Sequence, residues 1–204
     1  MLVGLRERGL DTTKPILAVL DGAKALAAAV NEVFDHPVIA RCQLHKLRNV
    51  RDHLPEKGRG RVARWMRNAY HADSALKAQA LLGVLAKELD KTHPGAAGSL
   101  RERMAETLTV LRLHLPPTLA RTLRSTNAVE SMISICSDHS RNVKRWRDGQ
   151  MALRWCAAGM VEANSQFRRV NGHLHLPVLR AALEGHVTGE TVGADCNTQD
   201  VSAA

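Results

Sequence analysis

Two short apolar runs separated by an alanine-rich segment constrain the fold of this chain more than any other feature. The first run, residues 16–20 (ILAVL), stops at Asp21, and the second covers residues 38–40. Their length, their β-branched residues and the turn signals beside them predict buried strands. Residues 24–33, between them, are rich in alanine and predict a helix. With a further helix over 45–53, the first third of the chain is predicted to be strand–helix–strand–helix, an α/β arrangement.

From residue 59 to residue 123, no segment resembles a strand. Apolar residues recur there at three- and four-residue spacing, which predicts helices joined by short turns. The predicted helices are 61–70, 74–90 and 99–113. Two more are predicted after this block, one starting near Asn127 with Val129, Met132, Ile133 and Cys136 on one face, and one over 148–169. We therefore expect an α/β protein that is predominantly helical.

These patterns divide the chain into four regions: 1–58, 59–123, 124–185 and a polar tail over 186–204 that is predicted to be disordered. No apolar run approaches the roughly 18 residues that a membrane-spanning helix needs. Charged residues interrupt the N-terminal segment, so no secretory signal peptide is recognised. The four cysteines form no Cys-x-x-Cys pair, and we expect a reduced, cytoplasmic environment.

The chain is strongly basic, and its positive charge is unevenly distributed. Its 29 Lys and Arg residues against 20 Asp and Glu give a net charge of +9. Residues 188–204 contain three acidic residues and no Lys or Arg, so the rest of the chain carries +12. Basic residues concentrate in 41–67 and 141–147, which favours a polyanionic partner such as nucleic acid. The alternative for any single run is a solvated face. The aromatic content of 3% disfavours RNA-binding sheets that stack bases.

Two carboxylates stand where either metal binding or helix capping is possible. Asp21 follows a predicted strand, and ligands of open α/β sheets gather at the carboxyl ends of strands, where a carboxylate can hold Mg²⁺ or Mn²⁺. The same position suits the N-cap of the following helix. Glu130 lies three residues after Asn127, a spacing that fits a capping box as well as a metal ligand near a helix start.

Two further motifs contain side chains that could carry chemistry. Cys42 and His45 have the spacing of metal ligands, but no second pair completes the four ligands of a structural zinc site. The alternative is a core cysteine beside a histidine at a helix start. The run 141–149 combines four cations with Trp146, which could contact phosphates and stack on an unpaired base. Trp146 could equally be a partly buried anchor.

Taken in order, four segments of the sequence resemble the Mutator-type transposases of bacterial insertion sequences. They are Asp21-Gly22 after its strand, 41–50 (RCQLHKLRNV), 125–131 (STNAVES) and 141–149 (RNVKRWRDG). The segments 167–169 (FRR) and 175–177 (HLP) match the closing part of the family. The resemblance covers residues 15–183.

This resemblance implies a DDE transposase with a ribonuclease H-like core. Residues 1–58 would be part of that core, 59–123 the family's helical insertion, and 124–185 the helices that complete the core. Asp21 would correspond to the second catalytic Asp and Glu130 to the catalytic Glu. Cys42 and His45 would correspond to the family's Cys-x-x-His signature near the active site. Mg²⁺ (or Mn²⁺) held by three carboxylates would then serve DNA strand cleavage and strand transfer.

The partners implied by the resemblance are DNA, as element ends and target, and further copies of the chain in the full-length relatives. A nucleoid-associated protein with no membrane partner is expected. The side chains expected to contact DNA are Lys46, Arg48, Arg141, Lys144, Arg145, Trp146 and Arg147.

One element of the family pattern has no counterpart here. The family's first catalytic Asp lies well upstream of the second, whereas 20 residues precede Asp21, and Glu7 and Asp11 are too close in sequence to come from a separate early strand. The resemblance therefore predicts a truncated transposase with an incomplete triad, whose sheet would expose an edge. Two alternatives stay open: a non-catalytic DNA-binding or interaction remnant, and a helical zinc-binding adaptor.

Overall fold

A two-stranded parallel sheet joined by a helix forms the N-terminal part of the molecule. In the computed structural model, which describes residues 2–189, β1 (Ile16–Leu20) and β2 (Pro37–Arg41) pair in parallel, with Leu20 opposite Arg41. The crossover between them is α2 (Lys24–Val33). The predicted strands and this helix are confirmed, because each is specified by a local apolar or alanine-rich run.

Helices make up most of the remaining described chain, so the α/β, predominantly helical class is confirmed. Their bounds are α1 Leu2–Glu7, α3 Gln43–Asp52, α4 Glu56–Tyr70, α5 Ala75–Asp90, α6 Pro94–Arg101, α7 Met104–Thr107, α8 Thr109–Arg112, α9 Pro117–Leu123, α10 Asn127–Ser140, α11 Gly149–Gln166 and α12 Leu176–Thr188, with a 3₁₀ turn at His173–His175. As predicted, none of the described residues between 59 and 123 is in a strand.

Alternate residues of the strands face opposite layers of helices. Leu17 and Val19 pack with apolar residues of β2 against α8, α9 and α12. Ile16 and Ala18 face α2 instead. The outer edge of β2 is covered, because the Thr109 hydroxyl donates to the Ile39 carbonyl at 2.8 Å. Within residues 2–189, no strand pairs with the other edge of β1.

A separate apolar core lies inside the helical block. Met66, Leu82, Leu85 and Leu100, from α4, α5 and α6, are almost completely inaccessible to solvent. Val50 of α3, the helix that follows β2, belongs to the same core.

The single helix predicted over 99–113 is wrong, since the structure divides this segment among α6, α7 and α8. The chain leaves α6 at Glu102, whose backbone is extended (φ −54°, ψ 113°), and Arg103 follows in the left-handed region at φ 50°. At the break, the carbonyl and carboxylate of Glu102 bind buried cations described below. The spacing of apolar residues in the sequence cannot indicate such a tertiary contact.

At the C-terminal side, α10 and α11 pack against each other through small residues. A Cβ atom on Gly159 would lie 3.0 Å from Cys136 Cα, so the two helices touch closely there. The predicted inward face of α10 is only partly correct. Cys136 is buried, but Val129 and Ile133 are each 52% exposed.

The last described helix, α12, covers the sheet with Leu179, Ala182 and Leu183. It ends at Thr188, inside the segment that was predicted to be disordered from residue 186, while residues 190–204 of that segment lie outside the described residues. None of the helices within 2–189 is both long and apolar enough to cross a membrane.

Candidate active site and nucleic-acid surface

The carboxyl ends of β1 and β2 meet at one edge of the sheet, and the predicted site residues begin there. The Cys42 N–H donates to the Leu20 carbonyl at 2.7 Å, which extends the strand pairing by one residue. Asp21 follows Leu20 directly. Parallel strand ends are where ligands of α/β proteins bind, so Asp21 and Cys42 share a favourable location.

The Asp21 carboxylate is exposed and belongs to the turn before α2. Its Oδ1 accepts the Ala23 N–H at 3.0 Å, and Ala23 is the N-cap residue, with no side-chain cap. The alternative that Asp21 is the N-cap of this helix is therefore wrong. Its hydrogen bond shapes the turn and leaves the carboxylate at the surface.

Cys42 and His45 form a pair at the start of α3. Cys42 is completely buried, and its Sγ lies 3.3 Å from His45 Nδ1. Burial by itself would raise the pKa of the Cys42 thiol, but hydrogen bonds with Thr126 and His45 bring that pKa below its ordinary value. Cys42 Sγ therefore has polar neighbours, although the residue is completely buried.

Glu130 reaches this pair through Thr126. The Thr126 hydroxyl lies 2.6 Å from Glu130 Oε1, 3.3 Å from His45 Nδ1 and 3.5 Å from Cys42 Sγ. Glu130 Oε1 is itself 3.7 Å from His45 Nδ1. The structure therefore brings together three of the residues selected from the sequence, Cys42, His45 and Glu130.

The capping-box alternative for Asn127 and Glu130 is wrong. The N-cap residue of α10 is Thr126, and the Glu130 carboxylate contacts the Thr126 hydroxyl instead of the Asn127 N–H. A backbone contact fixes this end of the helix, since the Gln43 N–H donates to the Arg124 carbonyl at 2.9 Å. That bond docks the chain before α10 onto the start of α3.

Asp21 and Glu130 both offer carboxylate oxygens, the ligand type that Mg²⁺ prefers. Both are accessible, and the Glu130 side chain is 41% exposed. Across the described residues, no group of three or more His, Cys, Asp or Glu side chains is arranged to hold a metal ion. Asp21 and Glu130 therefore supply two ligands of the type that Mg²⁺ prefers.

Beneath this edge of the sheet, two buried cations, Arg41 and Lys46, meet the partly exposed side chain of Glu102. Arg41 Nη1 is 3.3 Å from Glu102 Oε2, and the Lys46 ammonium donates to the carbonyls of Ser99 and Glu102. The Arg41 guanidinium also packs under Gly22, where a Cβ atom would lie 2.7 Å from Nη2. Gly22 has φ +114°, a conformation that favours glycine.

The structure buries Lys46, which argues against the DNA contact predicted for it. Its side chain is completely buried, whereas a phosphate contact needs an exposed ammonium group. Burial, together with the nearby Arg41, lowers the pKa of Lys46 to about 8. Burial acts to raise the pKa of Glu102, but Arg41 and Lys46 outweigh it and hold that pKa below its usual value.

The other cations expected to bind DNA are exposed. Arg48 lies on the outer side of α3, and the rest belong to the loop between α10 and α11, here called the basic loop (residues 141–147). Trp146 is 47% exposed, so it is partly buried and part of its ring is accessible. Arg141 lies 3.8 Å from Asp138, and Arg147 lies 3.0 Å from Asp148. Lys144 and Arg145 form no ion pair with described residues.

Sequence reasoning missed Thr126, Arg41 and Glu102 as site-shaping residues. Thr126 lies within the STN motif, so the sequence identified its position as part of a motif but did not indicate its contact with Glu130. Glu102 is 61 residues from Arg41 in the chain, and no local pattern connects them.

Comparison with known proteins identifies a family and several relatives of this chain. The family model described as "Transposase, Mutator family" matches residues 1–170. A transposase for insertion sequence element ISRM5 of Rhizobium meliloti (strain 1021) is 29% identical over 179 residues, covering 88% of this chain and 44% of the relative. A transposase for element IST2 of Acidithiobacillus ferrooxidans is 28% identical over 144 residues, covering 71% and 48%.

A third relative, the transposase for element IS6120 of Mycolicibacterium smegmatis, is 25% identical over 186 residues, covering 91% of this chain and 56% of the relative. The chain thus spans about half the length of the curated relatives it matches. Because the family model covers most of the chain, the protein belongs to the Mutator family of transposases.

Proposed function

We propose that this chain provides the Asp21 and Glu130 carboxylates of a DDE transposase site within a ribonuclease H-like core. The reaction would be DNA strand cleavage at the ends of an insertion sequence, followed by strand transfer. The observation that supports this most is that Glu130, 109 positions after Asp21 in the chain, lies 3.7 Å from His45 of α3, the helix that follows β2.

A continuous path of contacts links the two carboxylates. Asp21 follows Leu20, whose carbonyl accepts the Cys42 N–H, and Cys42 Sγ contacts the Thr126 hydroxyl that lies against Glu130. Such a path explains how a carboxylate on a distant helix is held near the sheet edge. It supports a single site better than two unrelated capping residues.

Asp21 and Glu130 are the residues that would hold Mg²⁺ or Mn²⁺. When bound in such a site, the ion activates the attacking hydroxyl and neutralises charge on the phosphate. The protein's own contribution is to present two oxygen donors from rigid elements, the end of β1 and the first turn of α10. The Arg41–Gly22 contact fixes the turn that carries Asp21.

We further propose that Arg48 and the basic loop contact the DNA backbone, and that Trp146 stacks on an unpaired base. All of these side chains are exposed, and Lys144 and Arg145 are available for phosphate contacts. Self-association, by contrast, stays a prediction based on the family resemblance.

The 204-residue chain alone is proposed to bind DNA without cutting it. Among residues 2–189, no third acidic side chain joins Asp21 and Glu130 in a metal-binding group, and a DDE site uses three carboxylates.

The test is Mn²⁺ binding to the purified chain, followed by electron paramagnetic resonance. Asp21→Asn and Glu130→Gln should each weaken the tightest site about tenfold or more, because each removes a charged ligand. Glu32→Gln, an exposed change on α2, is the matched control and should leave the affinity unchanged. Equal affinity in all four proteins would contradict the proposal.

A second candidate function is non-catalytic DNA binding, which is favoured by the exposed cations of the basic loop. It predicts DNA affinity that falls steeply with salt and does not respond to Asp21→Asn or Glu130→Gln, with or without Mn²⁺. Stronger DNA binding in Mn²⁺, lost in both variants, would favour the transposase site instead.

A further inference from the structure

The Thr126 hydroxyl lies at the centre of the candidate site, within reach of three other functional groups. Its Oγ1 is 2.6 Å from Glu130 Oε1, 3.3 Å from His45 Nδ1 and 3.5 Å from Cys42 Sγ. The shortest of these contacts is the one to the carboxylate. Thr126 is the N-cap residue of α10, yet its side chain makes no capping hydrogen bond to the helix backbone. Its hydroxyl is used for the site instead.

The direction of these hydrogen bonds follows from the available protons. A carboxylate at neutral pH can only accept, so the single Thr126 hydroxyl proton is donated to Glu130. Thr126 Oγ1 is then an acceptor toward His45, which requires the proton of the neutral imidazole to be on Nδ1. In the other tautomer, Nδ1 would present a lone pair to Oγ1 at 3.3 Å and to Glu130 Oε1 at 3.7 Å.

The backbone holds both ends of this arrangement. The Glu130 N–H donates to the Thr126 carbonyl at 3.0 Å, so the two residues are one helical turn apart and their side chains lie on the same face. The Gln43 N–H holds the Arg124 carbonyl, and that bond fixes Thr126 against the start of α3. Cys42 Sγ lies 3.3 Å from the same Nδ1 atom of His45 and 3.5 Å from Thr126 Oγ1, so the three groups form one compact cluster.

We propose that Thr126 is a positioning residue for Glu130. Its hydroxyl donates to the carboxylate and accepts the Nδ1–H of His45, so the Cys42–His45 pair orients Glu130 through Thr126. This inference rests on the proposed function of Glu130 as a metal ligand. It assigns the Cys-x-x-His segment a role as hydrogen-bonded support for that carboxylate, with no metal of its own.

The first test is spectroscopic and needs no activity. With ¹⁵N-labelled histidine, the purified chain is examined well above the ordinary pKa of histidine, and His45→Gln assigns the His45 signals. The proposal predicts the Nδ1–H tautomer in the wild type, a shift toward Nε2–H in Thr126→Val, and recovery in Thr126→Ser. Thr122→Val is the matched control, since its hydroxyl contacts the Asn171 carbonyl instead, and it should leave the signals unchanged.

The second test measures Mn²⁺ affinity in the same variants. Thr126→Val should weaken binding about tenfold, the usual cost of losing a group that orients a ligand, and Thr126→Ser should restore most of it. Unchanged His45 signals in Thr126→Val, or an Nε2–H tautomer in the wild type, would overturn the hydrogen-bond scheme. Wild-type-like Mn²⁺ affinity in Thr126→Val would overturn its positioning role alone.

A different result would show that the proposed function of Glu130 is itself wrong. If Glu130→Gln binds Mn²⁺ as the wild type does, Glu130 is not a ligand, and the positioning role falls with it. The imidazole spectra still decide in that case whether the hydrogen-bond chain exists. A merely structural Thr126 predicts lower stability in Thr126→Val with no change in the His45 tautomer.

Discussion

At the scale of single residues, the buried Lys46 shows how charge organises the interior of this protein. Its ammonium group binds the carbonyls of Ser99 and Glu102 and lies 3.9 Å from the Glu102 carboxylate. Arg41 reaches the same carboxylate. Two cations thus share one anion beneath the sheet edge, which makes the charged form of Lys46 costly.

The pH dependence of folding should reveal this cost. Because the pKa of Lys46 is lowered to about 8 from 10.5, the unfolded chain holds more protons than the folded one between these values. Stability should therefore rise as the pH is raised from about 8 toward 10, by on the order of 1–3 kcal/mol from this group. Urea unfolding across this range measures the effect.

Lys46→Met is the matched variant, since it retains most of the side-chain volume and removes the titrating group. The rise with pH should be smaller in Lys46→Met than in the wild type, while Arg48→Met on the exposed side of α3 should retain it. The same rise in wild type and Lys46→Met would show that Lys46 does not titrate as described. Above about pH 10, a second group acts in the opposite direction. Burial raises the pKa of Tyr70 to about 12, so the contribution of this residue to the free energy of unfolding falls as the pH rises.

At the scale of secondary-structure elements, the sequence predicted those strands and helices that are determined by local sequence patterns. The strands, α2 and the long helices α4 and α5 follow from apolar and alanine-rich patterns. The break between α6 and α7 does not, because Glu102 leaves the helix for contacts with Arg41 and Lys46, about 60 residues away. The site divides in the same way: Asp21, Cys42, His45 and Glu130 are visible as motifs, whereas their connection through Thr126 depends on tertiary structure.

The pairing of α10 with α11 can be tested at its closest point. Gly159→Leu should lower the free energy of unfolding by about 1–3 kcal/mol, because even a Cβ atom there would lie 3.0 Å from Cys136 Cα. Gly83→Leu on α5 is the control, since its Cβ position is open, and the better helix former should add about 0.5–1 kcal/mol. Thermal unfolding followed by circular dichroism compares them, and stabilisation by both variants would contradict the close packing.

The basic loop can be tested through the salt dependence of DNA binding. Replacing Lys144 and Arg145 with alanine should reduce the slope of log affinity against log salt by about 2, since each phosphate contact contributes about 0.9. Replacing Lys87 and Lys91, at the end of α5, removes the same charge from another exposed surface. Equal losses in the two double variants would show that net charge, and not the basic loop, determines binding.

At the scale of the whole molecule, the proposed site depends on three parts of the chain meeting. The sheet end provides Asp21 and Cys42, the helical block holds Arg41 through Glu102, and α10 brings Glu130 to His45. The helical block between the two carboxylates therefore contributes to the proposed site, since Glu102 contacts Arg41, whose guanidinium packs under Gly22 beside Asp21.

The central claim is that Asp21 and Glu130 bind one ion, and paramagnetic broadening by Mn²⁺ tests it most directly. In amide spectra of the ¹⁵N-labelled chain, residues 21–23 and 126–130 should lose intensity together at the same low Mn²⁺ concentration. Either Asp21→Asn or Glu130→Gln should protect both segments. Broadening of one segment without the other, or protection of only the mutated segment, would contradict a shared site.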